Sequence, residues 1–508
     1  MLRVRRSLIC LPIAISLIAV ACTDDDDGGD TTEPSTATTV ADGDGGDDTT
    51  PPELTGEGIT LGYLRPPTGL FDELGRAQAD ALSLAVDDIA AAGGVLGGPL
   101  EITEDQPTAQ RTIDAVFSEM VGAGTQLFVG PATSDEARAL LPSLAEAPAV
   151  VCGASTTAQD LTGVPDVEGR FVRTSLDDGV VAVNTVRALR DRTEEIVDRP
   201  ANITIVARQD SYGIALSTAI SDLLELAGDS TTIVGYDPED VALAGVGDDV
   251  AAAGGDQVVL ITAEEGPRLA SLAVQAGVDP NRILGLDGLA TPRFAEIAEP
   301  SDPAALDGVT VIGTTGNQAF LQRLVAVDSG QVVYGAQAYD CAISFALAVE
   351  AVGAADDPAA ISAALRDVTG GGEICTTYAD CLEKLQAGED IDYDGPSGPI
   401  GFDEKSDPSG GRFTTAVVVE GQLTIVSDLR VDLDEIRAIA APHIVGLIAA
   451  VQSALRDLGF YDGPIDGKES EELTAAIAAF QTDQGLEPTG ELDVDTLIAL
   501  QTALGDRN

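Results

Sequence analysis

Between residue 58 and about residue 314, short apolar runs alternate with segments of helical periodicity. Strands that alternate with helices along a chain form parallel sheets with helices on both faces. The predicted strands are too many for one sheet of ordinary size, so the pattern predicts an α/β fold of two lobes. The predicted strands are 58–65, 100–105, 126–130, 148–152, 202–208, 231–236, 256–262, 282–286 and 308–314, with helices at 75–92, 134–146, 211–227 and 265–277 and an antiparallel hairpin at 413–427.

The loops that follow several of these strands are rich in Gly, Ser and Thr. They comprise 66–69, 130–134, 153–157, 210–213 and 285–288. In such folds ligands bind beyond the carboxyl ends of strands, at loops and helix N-termini. A Ser or Thr at a helix start commonly caps the helix, which is the simpler interpretation of any one loop. Several such loops facing one cleft predict a site for a small polar ligand.

The charge balance excludes some classes of partner. There are 85 Asp and Glu residues against 27 Lys and Arg, a formal net charge of −58. A field of that sign repels nucleic-acid phosphates, so no nucleic-acid partner is expected. The same field opposes docking on anionic lipid through a basic patch. Solubility is the simplest explanation of the charge itself.

His443 is the sole histidine of the chain, which limits the available chemistry. One histidine cannot supply a multi-His zinc site, so no metal is predicted. It could act as the base of a nucleophile–His pair, but its APHIVG setting is more typical of a linker or a cap. Pairs of carboxylates arise by chance in so acidic a chain and carry no weight. We expect neither an enzyme nor a cofactor.

The first residues have the features of an export signal. Arginines at positions 3, 5 and 6 precede an apolar stretch, Leu8 to Ala21, that is short for a membrane span. It ends in Ala-Val-Ala-Cys, which resembles the lipobox of bacterial lipoproteins, with Ala19 where Leu is usual. The resemblance implies that residues 1–21 are a lipoprotein signal peptide and that Cys22 is lipidated. An ordinary signal peptide cut nearby, with an incidental Cys22, is the alternative.

Residues 22–55 have a composition that cannot form a core. After the cysteine they are dominated by Asp, Gly, Thr and Pro. Like charges and few apolar side chains keep such a segment disordered and extended. We therefore predict an acidic linker that holds a main domain, residues 56–430, away from the membrane.

The main domain carries a series of motifs in a consistent order. GRAQADALSLAVDDIAAAGGVLGGPLEI (75–102) is followed by GPATS, GASTTAQDLT and SYG. Together they resemble the type 1 periplasmic binding proteins of the branched-chain amino-acid class over roughly 58–428, with Ala90 where Asn is common. The resemblance implies two parallel-sheet lobes that close on a small molecule, such as an amino acid or an amide. It also implies delivery of that molecule to an ABC permease.

Matched position by position, the resemblance implies a set of ligand contacts. Ser134, Ser155 and Thr157 are implied to hold the ligand carboxylate. Tyr212 packs across the ligand, and Asp287, where Glu is often seen, receives the ligand ammonium. Thr262 adds one more contact, in a loop that has no aromatic residue in this chain. Relatives bind amides, urea-like molecules and aromatic acids, so the ligand itself is left open. The implied contacts are Ser134, Ser155, Thr157, Tyr212, Thr262 and Asp287.

Four cysteines remain beyond the signal and the predicted anchor: Cys152, Cys341, Cys375 and Cys381. An even number in an exported chain indicates two disulfides, with three possible connectivities. Pairing of Cys375 with Cys381 is easiest because it closes a short loop, and this leaves Cys152 with Cys341. Free buried thiols are the alternative.

The tail, residues 442–504, contains three short helical patterns and predicts a small all-α bundle. LGFYDGPIDG and AAFQTDQGLEPTGELDVDTL resemble the three-helix peptidoglycan-binding domain, which implies affinity for the cell wall. The chain departs from that family at Ser470 and Leu473, where Gly and Thr are usual, in a turn near the family's surface groove. Residues equally consistent with glycan contact and with a structural role are Asp462, Asp466, Phe480 and Gln481.

These features predict an extracytoplasmic lipoprotein, held at the outer face of the cytoplasmic membrane or in the periplasm. Its expected role is to capture a small polar metabolite for an ABC importer. One alternative is a sensing or wall-anchored receptor with no transport role, and another is an envelope scaffold with a vestigial cleft. A wall hydrolase is disfavoured because the main domain has no nucleophile–base or metal signature.

Overall fold

The computed structural model describes most of the chain after the predicted linker. It covers residues 54–433 except 68, 70, 165, 166, 168, 195–199, 241, 242, 244 and 328–330. In the tail it covers residues 451–490 except 457, 466, 467, 469 and 487, together with Thr496. The signal peptide, Cys22, nearly all of the linker, His443, Asp466 and almost all of the third predicted tail helix lie outside the described residues.

The strands follow the predicted order, with one short addition, β5, in the first half and a small sheet in the second. They are β1 (Ile59–Leu64), β2 (Leu100–Asp105), β3 (Leu127–Val129), β4 (Val150–Gly153), β5 (Phe171–Arg173), β6 (Asn202–Arg208), β7 (Ser230–Tyr236), β8 (Gln257–Ile261), β9 (Ile283–Gly285), β10 (Thr310–Thr314), β11 (Glu373–Cys375), β12 (Ile391–Gly395), β13 (Gly398–Pro399), β14 (Gly410–Val419) and β15 (Gln422–Asp432).

Helices connect most of these strands. They are α1 (Asp72–Ala91), α2 (Ile113–Gly122), α3 (Ser134–Glu146), α4 (Asp178–Glu194), α5 (Ser211–Leu226), α6 (Val246–Ala253), α7 (Gly266–Gln275), α8 (Phe294–Ala298), α9 (Gln318–Val325), α10 (Gly335–Val352), α11 (Pro358–Val368), α12 (Tyr378–Ala387) and, in the tail, α13 (Glu471–Gln484). Among the residues described, no helix is both long and apolar enough to cross a membrane.

The strands form two main sheets, one in each lobe. The first sheet has five strands in the order β2-β1-β3-β4-β5, all parallel. The second has seven strands in the order β15-β14-β10-β9-β8-β6-β7, in which β14 is antiparallel to both of its neighbours and the other pairs are parallel. The prediction of two parallel-sheet lobes with a terminal hairpin is confirmed. The hairpin is longer than predicted, from Gly410 to Asp432.

Each lobe is assembled from separate stretches of the chain. Helices α9 to α12 return to the first lobe, where they share an apolar core with β1 to β4. Helix α10 is buried along nearly its whole length, as expected of a helix with few charged residues on any face. The second lobe contains α4 to α8, β6 to β10 and the hairpin. The chain therefore crosses between the lobes after β5, after β10 and before β14.

Both predicted disulfides are present, and both lie in the first lobe. Cys152, at β4, is bonded to Cys341 in α10, and Cys375 is bonded to Cys381. Cys341 lies within α10, which begins at Gly335.

The tail has a small apolar core of its own. Leu455, Leu473 and Phe480 are among its buried members. The second predicted tail helix is present as α13, and the Ser470 hydroxyl caps it by accepting the backbone N–H of Leu473 at 3.1 Å. Ser470, a departure from the family pattern, thus supplies a helix cap.

Two of the tail residues considered for glycan contact are interior. Phe480 and Gln481 are both 0% exposed. The Gln481 amide donates to the hydroxyls of Thr489 and Thr496 and accepts the backbone N–H of Gly490. Both side chains serve the fold, whereas Asp462 is exposed.

Candidate functional site

A cavity of about 330 Å³ lies between the two lobes. The first lobe contributes the start of α1 and the loops after β3 and β4. The second contributes the loops after β6, β8 and β9, and the residues just before α10 add the remaining wall. These loops follow the carboxyl ends of parallel strands, as the sequence predicted. All six candidate residues line this one cavity: Ser134, Ser155, Thr157, Tyr212, Thr262 and Asp287.

Hydroxyl groups form the first-lobe side of the cavity. The Ser155 hydroxyl donates to the Ala132 carbonyl at 2.8 Å and accepts from the Gln78 amide at 2.9 Å. Ser134 is not the cap of α3, because Thr133 caps that helix in a capping box with Glu136. The Ser134 hydroxyl instead accepts the backbone N–H of Ala158 at 3.2 Å. The two loops are thereby fastened together with their hydroxyls at the cavity wall.

Asp287 is the buried carboxylate on the second-lobe side, with 6% of its surface exposed. One oxygen accepts the backbone N–H of Thr314 at 2.6 Å, and the other accepts the Tyr334 hydroxyl at 3.0 Å. Burial raises the pKa of this carboxyl, and the hydrogen bonds from Thr314 and Tyr334 oppose that rise. The carboxylate is therefore held in a fixed position with neutral partners.

Two tyrosines flank this carboxylate. Tyr212 is the second residue of α5, which begins where the Asp210 side chain accepts the backbone N–H of Gly213. Burial, Asp287 and Asp178 raise the pKa of the Tyr212 hydroxyl well above its ordinary value. Tyr334 precedes α10 with a left-handed backbone, φ +53°, which is uncommon for a bulky side chain and is often found at functional sites.

Asp178, at the start of α4, is a further buried carboxylate next to the site. It is 4% exposed and its backbone N–H donates to the Thr157 carbonyl at 2.8 Å, while its Oδ1 atom has no hydrogen-bond partner among the described residues. Burial raises the pKa of Asp178 to about 7, and the charges of Asp177 and Asp287 add to the rise. Thr262 also has an unpartnered hydroxyl, within the described part of the chain, and is 2% exposed.

Two hydrogen bonds join the lobes at the edge of the cavity. The backbone N–H of Glu73 donates to the Glu264 carboxylate at 2.5 Å, and the Ser211 hydroxyl donates to Asp135 at 2.7 Å. Helix α1 has no side-chain cap of its own at Phe71, so Glu264 satisfies its first turn from the other lobe. Burial raises the pKa of Glu264 to about 6.

Arg208 is a buried basic residue in the cavity wall. It is 2% exposed and forms ion pairs with Asp210 and Glu265, and its guanidinium lies 5.5 Å from the centre of the Phe71 ring. Two carboxylates thus already neutralise it. Among the described residues, no group of three or more His, Cys, Asp or Glu side chains is arranged to hold a metal ion.

Comparison with known proteins identifies the fold. The sequence pattern of the periplasmic binding protein family matches residues 58–419. The chain belongs to the periplasmic binding protein family. The sequence pattern of the peptidoglycan binding domain matches residues 446–500. The expectation of a binding protein and not an enzyme is confirmed by this membership, which also indicates a location in the cell envelope, outside the cytoplasm.

Individual relatives agree with this assignment. The Leu/Ile/Val-binding protein BraC3 of Rhizobium johnstonii is 26% identical over 318 residues, or 61% of this chain and 83% of the relative. The localization factor PodJL of Caulobacter vibrioides is 52% identical over 50 residues, a match that covers 10% of this chain and 5% of that protein.

Solved structures share the two-lobed fold of this periplasmic binding protein. The leucine binding protein LivK of Thermotoga maritima has a TM-score of 0.58 at 16% identity, covering 74% of this chain and 99% of its own. A solute binding protein of Rhodopseudomonas palustris, solved with p-hydroxybenzoic acid, has a TM-score of 0.58 at 16% identity, covering 74% and 98%. At these identities the likeness concerns the fold.

Two residues at this periplasmic binding protein's site, Tyr334 in the cavity wall and Asp178 behind Thr157, were not predicted from its sequence. Tyr334 immediately precedes α10, a helix of the first lobe, and does not directly follow a β-strand. The rule that predicted the other site residues therefore did not apply to it. Asp178 lies at a crossing between the lobes and resembles any acidic residue in the first turn of a helix. Only the assembled fold brings them beside Asp287.

Proposed function

We propose that the chain captures a small polar metabolite, an amino acid or a related amide, and delivers it to an ABC importer. The observation that carries this proposal is the convergence of six loop residues from both lobes on one cavity of about 330 Å³. A cavity of this size suits a small molecule and not a polymer. The Ser134 hydroxyl, which accepts from Ala158 and can still donate, and the Thr157 hydroxyl suit a ligand carboxylate, and Asp287 suits an ammonium.

The opposite polarity of the two sides favours a ligand with an amino group. The structural relatives include proteins solved with isoleucine and with p-hydroxybenzoic acid. An aromatic acid has no positive group for the buried Asp287 carboxylate, and burial of two unpaired negative charges is costly. An amino acid or an amide therefore fits this chain better than an aromatic acid.

A ligand panel on the purified full chain tests the proposal. Amino acids, amides and small organic acids are added separately, and the unfolding midpoint is followed by heat or denaturant. A ligand at a hundredfold excess over its dissociation constant stabilises the folded chain by about 2.7 kcal/mol. If no compound in the panel shifts the midpoint or shows heat of binding by calorimetry, the solute-binding proposal fails.

The tail match favours a second candidate function, a wall-attached receptor that shares the cleft but serves no importer. Deletion of the gene separates the two in the native cell. Loss of uptake of the ligand found in the panel, restored by the wild-type chain, supports the importer. Unchanged uptake with an altered cellular response to that ligand supports the receptor.

Membrane attachment through Cys22 is part of the proposal. It is supported by the Ala-Val-Ala-Cys sequence after the apolar stretch. The Cys22→Ala variant should appear in the medium, whereas the wild-type chain should sediment with membranes. Equal membrane association of both proteins would contradict lipidation.

A further inference from the structure

The cavity wall carries far more negative than positive charge. Of the described residues around it, Arg208 alone is basic, and Asp210 and Glu265 already pair with it. Asp135 is paired with Arg138 outside the cavity. Glu264 and Asp287 bond only to neutral donors in the described chain. The carboxylates in the lining are Glu73, Asp135, Asp210, Glu239, Glu264 and Asp287.

Two buried polar atoms, one in the cavity wall and one behind it, have no hydrogen-bond partner among the described residues. Asp178 is 4% exposed and its Oδ1 atom has no partner among the described residues, although buried polar atoms normally have one. It contacts Thr157, a lining residue, and its charge acts on Asp287 and Tyr212. The Thr262 hydroxyl, 2% exposed and also unpartnered in the described structure, opens on the same cavity. The Asp287 carboxylate and the unpartnered Thr262 hydroxyl therefore line the cavity, with the buried Asp178 carboxylate behind Thr157.

A second pair of carboxylates lies at the edge of the cavity, one from each lobe. Glu264 accepts the backbone N–H of Glu73, so the two side chains are neighbours across the cleft. Burial raises the pKa of both, and the Glu73 charge further raises that of Glu264. The Arg76 and Arg293 charges lower the Glu73 pKa without cancelling the rise. Two carboxylates, one from each lobe, thus line the same edge of the cavity.

We infer that this site takes a ligand of net positive charge, a small organic cation with two amino or guanidino groups such as a basic amino acid. One cationic group lies against Asp287, close enough to Asp178 for its charge to act, and the second lies beside Glu73 and Glu264. The inference rests on the proposed solute-binding function and narrows its ligand class. An ammonium or guanidinium supplies N–H donors and positive charge at both ends, and Tyr212 also lines the cavity.

Isothermal titration of the purified full chain at pH 7.5 tests the ligand charge directly. The probes are lysine, ornithine, arginine and putrescine as cations, and leucine, glutamine and benzoate as neutral or anionic comparisons. At least one cation should bind ten times more tightly than leucine. Putrescine as tight as lysine would show that charge suffices, whereas much tighter lysine would show that the Ser and Thr hydroxyls also hold its carboxylate.

Binding that does not depend on the charge of the ligand would contradict the inference. If leucine, glutamine or benzoate binds as tightly as every cation, the charge inference is overturned while the solute-binding function stands. If none of the probes and no compound of the wider panel binds, both are overturned.

The Asp178→Asn variant tests the subsite at Asp287. It should weaken binding of the tightest cation at least tenfold. It should not lower the melting temperature, because it replaces a buried charge by a neutral group of the same shape. Asp248→Asn, an exposed change on α6 with the same effect on net charge, is the matched control and should leave binding unchanged.

A pH profile separates a ligand contact from a structural role. Burial raises the pKa of Asp178 to about 7 in the empty site, so cation binding must displace protons at lower pH. Wild-type affinity should rise from pH 5.5 to pH 8, with Asp287, Glu73 and Glu264 contributing to the rise, and Asp178→Asn should flatten the profile. Full affinity and an unchanged profile in that variant would overturn the role given to Asp178.

Discussion

At the scale of the residue, Asp287 is the most exacting test of the site. Its buried carboxylate is held by Thr314 and Tyr334 and faces the cavity. Truncating one partner of a desolvated charge pair costs about 2–5 kcal/mol of binding free energy. Asp287→Ala should therefore weaken binding of an amino-bearing ligand by well over tenfold in a calorimetric titration. Unchanged or improved affinity would indicate a ligand with no positive group.

Thr157 tests the opposite side. Thr157→Val keeps the shape of the side chain but removes the hydroxyl that faces the cavity and contacts Asp178. Loss of that partner in a closed site should cost about 1–3 kcal/mol of binding free energy. The loss is expected for any ligand that carries a carboxylate, whether or not it has an amino group. Retention of full affinity, measured in the same titration, would remove Thr157 from the site.

Asp340 gives a prediction about pH. It is 0% exposed in α10, accepts the Tyr393 hydroxyl and the backbone N–H of Ser397, and burial raises its pKa from 3.8 to about 7. Between these two values the folded chain binds one proton more than the unfolded chain. The stabilisation is complete below pH 3.8 and is lost as the pH rises through 7, with a slope of about 1.4 kcal/mol per pH unit.

Denaturant unfolding between pH 5 and pH 6.5 measures this slope. The wild-type free energy of unfolding should fall as the pH rises, and Asp178 and Glu264, whose pKa values burial also raises, should add to the fall. Asp340→Asn should reduce the slope by about 1.4 kcal/mol per pH unit. An equal slope in both proteins would contradict the raised pKa of Asp340.

The sequence predicted site residues wherever local patterns carried the information. Ser134, Ser155 and Thr157 follow strands in one lobe, and Thr262 and Asp287 follow strands in the other, so the rule for parallel sheets gathered them at one cavity. Which of their hydroxyls bond to the protein depends on distances between loops. The partner of Ser155, for example, is the carbonyl of Ala132, which no spacing in the sequence reveals.

At the scale of the element, length decided what could be predicted. Strands such as β6 and β14 carry enough apolar periodicity to be recognised. Strand β5 contains only two consecutive apolar residues and β13 has two residues in all, so neither forms a recognisable run, whereas the equally short β3 and β9 lie within longer apolar runs. Helix α10 is apolar on all faces, so its burial could be expected, but its return to the first lobe is a property of the whole fold.

The two disulfides make a matched pair of experiments on the stability of one lobe. Cys152 and Cys341 are 189 residues apart in sequence, and Cys375 and Cys381 are six apart. Cross-linking removes unfolded-chain entropy according to loop length, roughly 5 kcal/mol for the long loop and roughly 2 kcal/mol for the short one.

Double Cys→Ala substitution of each pair, followed by denaturant unfolding, compares them. The Cys152 and Cys341 variant should lose more stability than the Cys375 and Cys381 variant. The reverse order would show that local packing, and not loop length, determines what each bond contributes.

At the scale of the whole molecule, the tail separates attachment from ligand capture. Its small core of Leu455, Leu473 and Phe480 contains no residue of the cleft. We expect fragment 440–508 to sediment with purified peptidoglycan, and a chain that ends at residue 433 to remain in solution. The test is run at low and moderate salt, because anionic wall polymers repel an acidic fragment until ions screen the charge. Failure to sediment under both conditions would leave the tail as a structural appendage.

The contacts that join the lobes also have a kinetic consequence. Glu264 completes the first turn of α1, and Ser211 bonds to Asp135, with no ligand required for either. Both contacts favour the closed arrangement of the empty protein, whereas a ligand enters only the open one. The observed association rate constant is then the intrinsic one multiplied by the open fraction, and each 1.4 kcal/mol that favours closure slows capture about tenfold. The same bonds lengthen the residence time of a ligand once it is inside.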